Sequence, residues 1–196
     1  MRKGSLGLLL AVTLAGAASA AAAPPRLHGQ QSWPPRTKRA PLFVLRDQHG
    51  RAFSLRSARG RPTMLTFMYS RCREICPVEG ALLGQVEHKL RGWPVHPNLV
   101  VVSLDPGGDT RASVTRFARK YRWPTSGWHW LVGSRRQLAR VWRDYHIDVQ
   151  GRGTSIGHGA GLYLLDKRGY ERTGYLIPFL PNLVLEDLHT LARHPT

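Results

Sequence analysis

An apolar run that ends at two cysteines constrains the fold of this chain more than any other stretch. Residues 63–69 are mostly apolar or aromatic, which predicts a strand buried on both faces. The polar loop that follows contains Cys72 and Cys76, the only cysteines in the sequence, and Pro77 comes directly after them. Because proline favours the first turn of a helix, the pattern predicts a helix from Pro77 with Cys76 as its N-cap.

The position of the cysteines indicates a chemical role. Thiols at a helix N-terminus have lowered pKa values, because N–H groups and the helix dipole stabilise the thiolate, and Arg71 and Arg73 should act in the same direction. Such a pair is a redox-active couple or part of a soft-metal site, with a structural disulfide as the alternative. The spacing is C-x3-C rather than the C-x2-C of dithiol exchange sites, and the wider loop favours metal binding over fast exchange.

The N-terminal region predicts export. Residues 1–20 combine a basic start, an apolar stretch and Ala-Ser-Ala before the expected cleavage point, as in a signal peptide, and a retained membrane anchor is the alternative. Residues 21–40 are rich in proline and predict an exposed linker, so the folded domain is expected over 41–196. Export would place the protein in an oxidising compartment, the periplasm.

The formal net charge of +17 raises the question of nucleic-acid binding. The basic residues are scattered along the chain and are mostly arginine, and the protein is expected to be exported, so we exclude that function. The positive charge could still attract the protein to an anionic membrane surface or to an acidic partner, which would increase the rate of association.

The order of the predicted elements is that of a thioredoxin-like α/β fold. We predict, in order, a hairpin over 42–55, strand 63–69, helix 77–91, strand 99–104, a helix from about 109, strand 128–132, a helix capped by Ser134 and Gln137, a loop over 146–157, strands 161–165 and 171–177, and a helix from Pro181. This alternation predicts one mixed sheet with helices on both faces and an N-terminal β-hairpin.

One histidine is a candidate third ligand beside the cysteines. Two thiolates are fewer ligands than most metal sites contain, and a site of sulfur and imidazole ligands suits Cu(I) or Cu(II). His158 lies in a glycine-rich stretch before strand 161–165, which in this layout faces the cysteine loop. Thioredoxins have a cis-proline there, whereas no proline occurs between Pro124 and Pro178. We therefore favour a metal site, with an unpartnered loop imidazole as the alternative.

Three motifs together resemble the SCO/SenC family over about residues 40–194: Cys72-x3-Cys76-Pro77 after an apolar strand, Ser103-Leu104-Asp105-Pro106 after the next strand, and His158 before Tyr163-Leu164-Leu165-Asp166. The resemblance implies a thioredoxin fold and a copper site formed by Cys72, Cys76 and His158. It also implies a metallochaperone that delivers copper to the binuclear copper site of cytochrome c oxidase, or that reduces the cysteines of that site. The implied partners are the oxidase subunit that carries this site and a periplasmic thiol reductant or copper donor.

The sequence departs from the family pattern at two places. Arg73-Glu74 stands where Pro-Asp is usual, and Gly157 precedes His158 where an acidic residue is usual. Without that carboxylate the imidazole would lose an orienting hydrogen bond, which favours redox chemistry over tight copper binding. The alternatives are therefore an exported thiol–disulfide oxidoreductase, in which Cys72 attacks and Cys76 resolves, and a redox or copper sensor with no delivery role. Asp105 is interpreted as a turn residue.

Overall fold

A six-stranded mixed sheet forms the centre of the structure, a computed structural model that describes residues 25–152, 155–158 and 161–193. Its strands are β1 (Gln31–Ser32), β4 (Thr63–Met68), β5 (Asn98–Ser103), β6 (Trp128–Leu131), β9 (Gly161–Leu165) and β10 (Glu171–Leu176). They lie in the order β1-β10-β9-β4-β5-β6, in which β4, β5 and β6 are parallel and β9 runs antiparallel to β4. All residues of β4 and β5 are buried, as their apolar runs predict.

Four helices cover both faces of this sheet. They are α1 (Ile75–Lys89), α2 (Arg111–Lys120), α3 (Arg135–Asp144) and α4 (Pro181–Arg193). Successive right-handed β-α-β connections in one direction place α1 and α2 on the same face, where Thr66 of β4 hydrogen-bonds Glu79 of α1. The opposite face carries α3, whose C-cap Tyr145 packs its ring 5.3 Å from that of Phe67. The predicted thioredoxin-like mixed sheet is thus confirmed.

The predicted N-terminal hairpin is also confirmed. Strands β2 (Val44–Arg46) and β3 (Ala52–Ser54) pair antiparallel, and a short 3-10 helix (Leu55–Ala58) follows. Backbone hydrogen bonds between Arg46 and Val132 join the hairpin to the chain just after β6.

Two segments expected to lack regular structure contain strands. Strand β1 lies within the segment predicted as a linker and pairs with β10 at the edge of the sheet. The prediction of a loop over 146–157 is wrong, because β7 (Val149–Arg152) and β8 (Ser155–His158) form a two-stranded antiparallel ribbon. Its glycines lower the strand propensity of the sequence, so pairing between the two short strands compensates for a weak local preference.

Helix α1 differs from its prediction at its start and on its inner face. The helix begins at Ile75 with Glu74 as N-cap, so the assignment of Cys76 as N-cap is wrong. The apolar residues Val78, Leu82, Val86 and Leu90 predict the inner face of this helix. Val86 and Leu90 are fully buried, whereas Val78 is 43% exposed. The buried face also includes two carboxyl side chains and two glycines: Glu79, Gly80, Gly84 and Glu87.

The glycines allow α1 to approach α2 closely. A Cβ atom on Gly84 would lie 2.1 Å from the backbone oxygen of Tyr121, and one on Gly80 would lie 2.7 Å from the ring of Phe117. The contact between the two helices therefore requires glycine at both positions.

Within the described residues, no helix combines the length and the apolar character that crossing a membrane requires. The predicted signal peptide falls outside the described part of the chain.

Candidate thiol and metal site

The cysteine loop lies at the edge of the sheet where parallel strands β4 and β5 both end. Because these ends meet at one edge, residues that follow β5 can hold the loop that follows β4. The carboxylate of Asp109 accepts hydrogen bonds from the Ser70 backbone (2.8 Å) and hydroxyl (2.7 Å). It also accepts bonds from Ser103 Oγ (2.6 Å) and from Trp130 Nε1 (3.0 Å), so one buried side chain ties the loop to β5 and β6.

A second carboxylate holds the loop from the other side. Arg71 donates to Asp105 Oδ2 from Nε (2.9 Å) and from Nη2 (2.6 Å). Asp105 also accepts from the Gly108 backbone (3.0 Å), which agrees with its interpretation as a turn residue. Asp105 therefore fixes both its own turn and the residue next to Cys72.

The structure brings Cys72 and Cys76 together as free thiols in hydrogen-bond contact. Cys72 is 8% exposed, whereas Cys76 is fully buried. The hydrogen bond from Cys76 lowers the pKa of Cys72 to about 5, and N–H groups of Cys76 and Glu74 act in the same direction. Cys72 is therefore a thiolate at neutral pH and is the sulfur that solvent or a partner can reach.

The expectation that both thiols have lowered pKa values is wrong for Cys76. Its hydrogen bond to the Cys72 thiolate, together with burial, raises the pKa of Cys76, so this residue keeps its proton. The predicted effect of the flanking arginines is also weaker than expected, because Asp105 already pairs with Arg71.

Tyr69 connects the cysteine loop to the ribbon formed by β7 and β8. Its hydroxyl accepts a hydrogen bond from the Ile156 N–H (3.2 Å), lies 3.5 Å from the Ile156 carbonyl oxygen, and hydrogen-bonds the Cys72 sulfur. Burial, together with the Cys72 hydrogen bond, raises the pKa of Tyr69 to about 12, so the hydroxyl remains a donor to the thiolate.

The third predicted site residue, His158, lies in β8 two positions after Ile156. Its backbone pairs with Val149 in the ribbon, and its side chain lies outside the described part of the structure. Among the described residues, no group of three or more His, Cys, Asp and Glu side chains is arranged to hold a metal ion. The described part of the site therefore contains two neighbouring sulfur atoms.

Glu79 lies one helical turn beyond Cys76 and is completely buried. It accepts a hydrogen bond from Thr66, whereas its Oε2 atom has no hydrogen-bond partner in the described structure. Burial, with the Cys72 thiolate acting in the same direction, raises the pKa of Glu79 to about 8, although the Thr66 hydrogen bond opposes the shift. Glu79 lies beyond the first turn of α1, and its burial disfavours the charged form.

Sequence reasoning did not identify three residues of the site: Tyr69, Glu79 and Asp109. The sequence contains a weak signal for the first two. Tyr69 is a residue with a hydroxyl group at the end of an apolar strand, and Glu79 is an acidic residue on a helix close to the two cysteines. Asp109 was placed only near a helix start, and its contacts depend on the alignment of three neighbouring strands.

The structure is that of a thioredoxin-like protein. It has a mixed sheet, and a pair of cysteines lies where the helix begins after a central strand. Within this class, the SCO1/SenC family model matches residues 33–192, and the chain belongs to that family.

Individual relatives agree with this assignment. The chain is 28% identical over 105 residues to the SCO1 protein homolog of Bacillus subtilis, an alignment that covers 54% of each chain. It is 30% identical over 135 residues to the mitochondrial protein SCO2 homolog of Bos taurus, covering 65% of this chain and 50% of the relative. The chain thus spans about half the length of these curated relatives.

A solved structure shows the same fold. The copper-bound ScoI of Bradyrhizobium japonicum superposes with a TM-score of 0.68 at 24% identity, covering 77% of this chain and 98% of that chain.

Proposed function

We propose that the protein is a copper metallochaperone that binds one copper ion through Cys72, Cys76 and His158. In this proposal it delivers the ion to the binuclear copper site of cytochrome c oxidase. The observation that carries the proposal is a thiolate at Cys72, slightly exposed, in hydrogen-bond contact with the buried sulfur of Cys76. Thiolate ligands select soft ions such as Cu(I), and imidazole extends the set to Cu(II).

The hydrogen bonds of Tyr69 support the inclusion of His158 among the copper ligands. Ile156 is hydrogen-bonded to Tyr69, and Tyr69 to Cys72, so β8 passes close to the cysteine loop two residues before His158. Copper binding also needs the proton of Cys76 to leave, because the thiolate is the ligand form. Binding should therefore release a proton from a residue whose raised pKa keeps it protonated in the free protein.

Copper titration of the full chain, reduced and oxidised, tests this function. We expect one copper per reduced protein, loss of binding in Cys72→Ser and Cys76→Ser, and affinity weakened at least tenfold in His158→Ala. His49→Ala is the matched control, since His49 is exposed in the hairpin turn and should bind copper like the wild type. Unchanged affinity in His158→Ala would remove this residue from the site, and binding that survives both cysteine substitutions would refute the proposal.

Thiol–disulfide exchange is a second candidate, favoured by the unequal protonation of the two sulfurs. The Cys72 thiolate attacks a partner disulfide and forms a mixed disulfide, and one partner thiolate leaves. Cys76 then gives up its proton and attacks the Cys72 sulfur, which releases the second partner thiolate and leaves a Cys72–Cys76 disulfide. Two electrons pass to the partner, and a periplasmic thiol reductant must return them. Reductase activity that is preserved in His158→Ala would distinguish this function from copper delivery.

The location and partners belong to the same proposal. Residues 1–20 would direct export and be cleaved, or remain as an anchor in the inner membrane, with a proline-rich linker before the domain. The protein would then act in the periplasm, with the oxidase subunit that carries the binuclear copper site as recipient. The strong positive charge would add attraction to the membrane surface.

A further inference from the structure

Two surface cavities lie side by side along α2. The first, of about 280 Å³, reaches Cys72 and is lined by Arg71, Arg116 and Phe117. The second, of about 590 Å³, lies between the C-terminal ends of α1 and α2. Lys120 and Tyr121 line both cavities, so the two lie next to each other at the end of α2, and the first extends to Cys72.

The two cavities have an apolar floor and a basic rim. Phe117, Tyr121 and Ala81 contribute the floor, and the close approach at Gly84 brings the floor residues of α1 and α2 together. The rim contains Lys89, Arg91, Arg116, Lys120 and Arg122, all exposed, whereas no Asp or Glu is among the residues that line either cavity.

The rim cations lack partners of opposite charge. Within the described residues, none of Lys89, Arg91, Arg116, Lys120 and Arg122 has a carboxylate at ion-pair distance, in contrast to Arg71, which Asp105 neutralises. A cation in the last turn of a helix is favoured by the helix dipole, which accounts for Lys120. That effect does not account for Arg116, in the middle of α2, or for Arg122, beyond its end.

We propose that these cavities form one binding surface, the basic groove, that holds an extended acidic segment of the protein exchanging copper or electrons with Cys72. The proposal rests on the proposed function for its partner. A concave groove with aromatic walls fits a peptide segment better than the flat surface of a bilayer, and its unpaired cations complement carboxylates. Ser113 and Lys120 line its first part and are seven residues apart on α2, or about 10 Å, which equals about three residues of extended chain.

The geometry sets the spacing of the partner's charges. Acidic side chains should begin about three residues from the residue that meets Cys72, and further acids should reach Arg91 and Arg122. Because such charges steer encounter more than they add affinity, the effect should appear mainly in the association rate and weaken with salt.

The test measures how fast the reduced full chain reacts with two synthetic peptides. Each carries a cysteine as its mixed disulfide with thionitrobenzoate, followed about three residues later by a run of glutamates in one peptide and glutamines in the other. The Cys72 thiolate attacks the peptide sulfur, and thionitrobenzoate leaves as a coloured thiolate. At low salt, we expect the acidic peptide to react about tenfold faster or more.

Charge reversal in the groove should remove that preference. Arg116→Glu combined with Lys120→Glu should bring the two rates close together, while Arg135→Glu combined with Arg136→Glu, an equal charge change on the exposed start of α3, should keep the preference. Arg91→Glu should slow only a longer peptide whose acids continue along the groove. Every variant should react normally with the small uncharged hydroxyethyl disulfide, which shows that folding and thiol chemistry are intact.

Three results would overturn the basic groove. The preference could persist after reversal of Arg116 and Lys120, or it could fall equally in the α3 control, which would assign it to net charge. Alternatively, reversal could abolish binding to phosphatidylserine vesicles without changing the peptide rates, which would assign the surface to the membrane. Copper titration of the same variants separates the two proposals, since a failed groove leaves copper binding intact and a failed copper site leaves the peptide preference intact.

Discussion

Replacing Glu79 by glutamine should remove a large part of the pH dependence of the protein's stability. The carboxyl group is fully buried under β4, where only the Thr66 hydroxyl donates to it and Oε2 has no hydrogen-bond partner in the described structure. Glutamine has the shape of the protonated carboxyl and carries no charge at any pH. The substitution therefore isolates the cost of ionising this position.

The magnitude follows from the pKa. Burial raises the pKa of Glu79 from 4.5 to about 8, so between these pH values the folded protein keeps a proton that the unfolded chain has lost. The free energy of unfolding then falls as pH rises from about 5 to about 8 and becomes level above that, because the folded state binds more protons only in this range. The total decrease in the free energy of unfolding is at most about 5 kcal/mol, because water that enters the protein would reduce the cost of ionising the buried carboxyl group.

Urea unfolding of reduced wild type and Glu79→Gln between pH 5 and pH 9 measures the effect. At pH 5 the variant should be less stable by about 1–3 kcal/mol, because its amide N–H groups lack partners. By pH 9 it should be the more stable protein. Taking the difference cancels the titration of Glu87, whose pKa burial also raises to about 8. Glu186→Gln is the control on an exposed helical position, and a difference that stays constant with pH would refute a buried, neutral Glu79.

Three further predictions concern the thiols and the helix contact. Alkylation of Cys72 should rise with a midpoint near the pKa of about 5, and Cys76→Ala should shift that midpoint upward, because alanine removes the thiol that donates to the Cys72 sulfur; an unshifted midpoint would contradict this cause. Tyr69→Phe should raise the same midpoint and weaken copper binding about tenfold, measured by titration, because the hydroxyl bridges the thiolate and β8. Gly84→Ala should lower the urea unfolding free energy by about 1–3 kcal/mol, because the added methyl group meets backbone at 2.1 Å, whereas Gly107→Ala should change it little, since its nearest contact is 3.9 Å away.

The thiol pair shows which features of the site a local sequence pattern can predict. The apolar run 63–69, the C-x3-C spacing and Pro77 were sufficient to place both cysteines between a buried strand and the helix that follows it, although α1 begins at Ile75 and therefore includes Cys76. They could not assign the protons, because the sulfur-to-sulfur hydrogen bond that lowers the pKa of Cys72 raises that of Cys76. Burial and the proton that Cys76 shares with Cys72 decide which thiol is charged. Neither can be predicted from the spacing of the cysteines in the sequence.

The ribbon and the inner face of α1 show where local patterns failed. Periodicity identifies buried faces from apolar residues, so it found Val86 and Leu90 of this face but not Glu79, Gly80 and Gly84, which are also buried. The short glycine-containing strands β7 and β8 are stabilised by each other and by the Tyr69 hydroxyl. Both features depend on partners distant in sequence.

The sequence by itself determined the order of the four helices and of the strands β4, β5, β6, β9 and β10, the capping box of Ser134 and Gln137, and the presence of a close thiol pair, because each depends on residues close together in the chain. The tertiary structure alone decided that Asp105 and Asp109 hold the cysteine loop, that Glu79 lies uncharged beneath it, and that Lys120 and Tyr121 line two neighbouring cavities. The physical reason is that burial and hydrogen bonding depend on which segments meet in space, and these contacts form only when the sheet assembles.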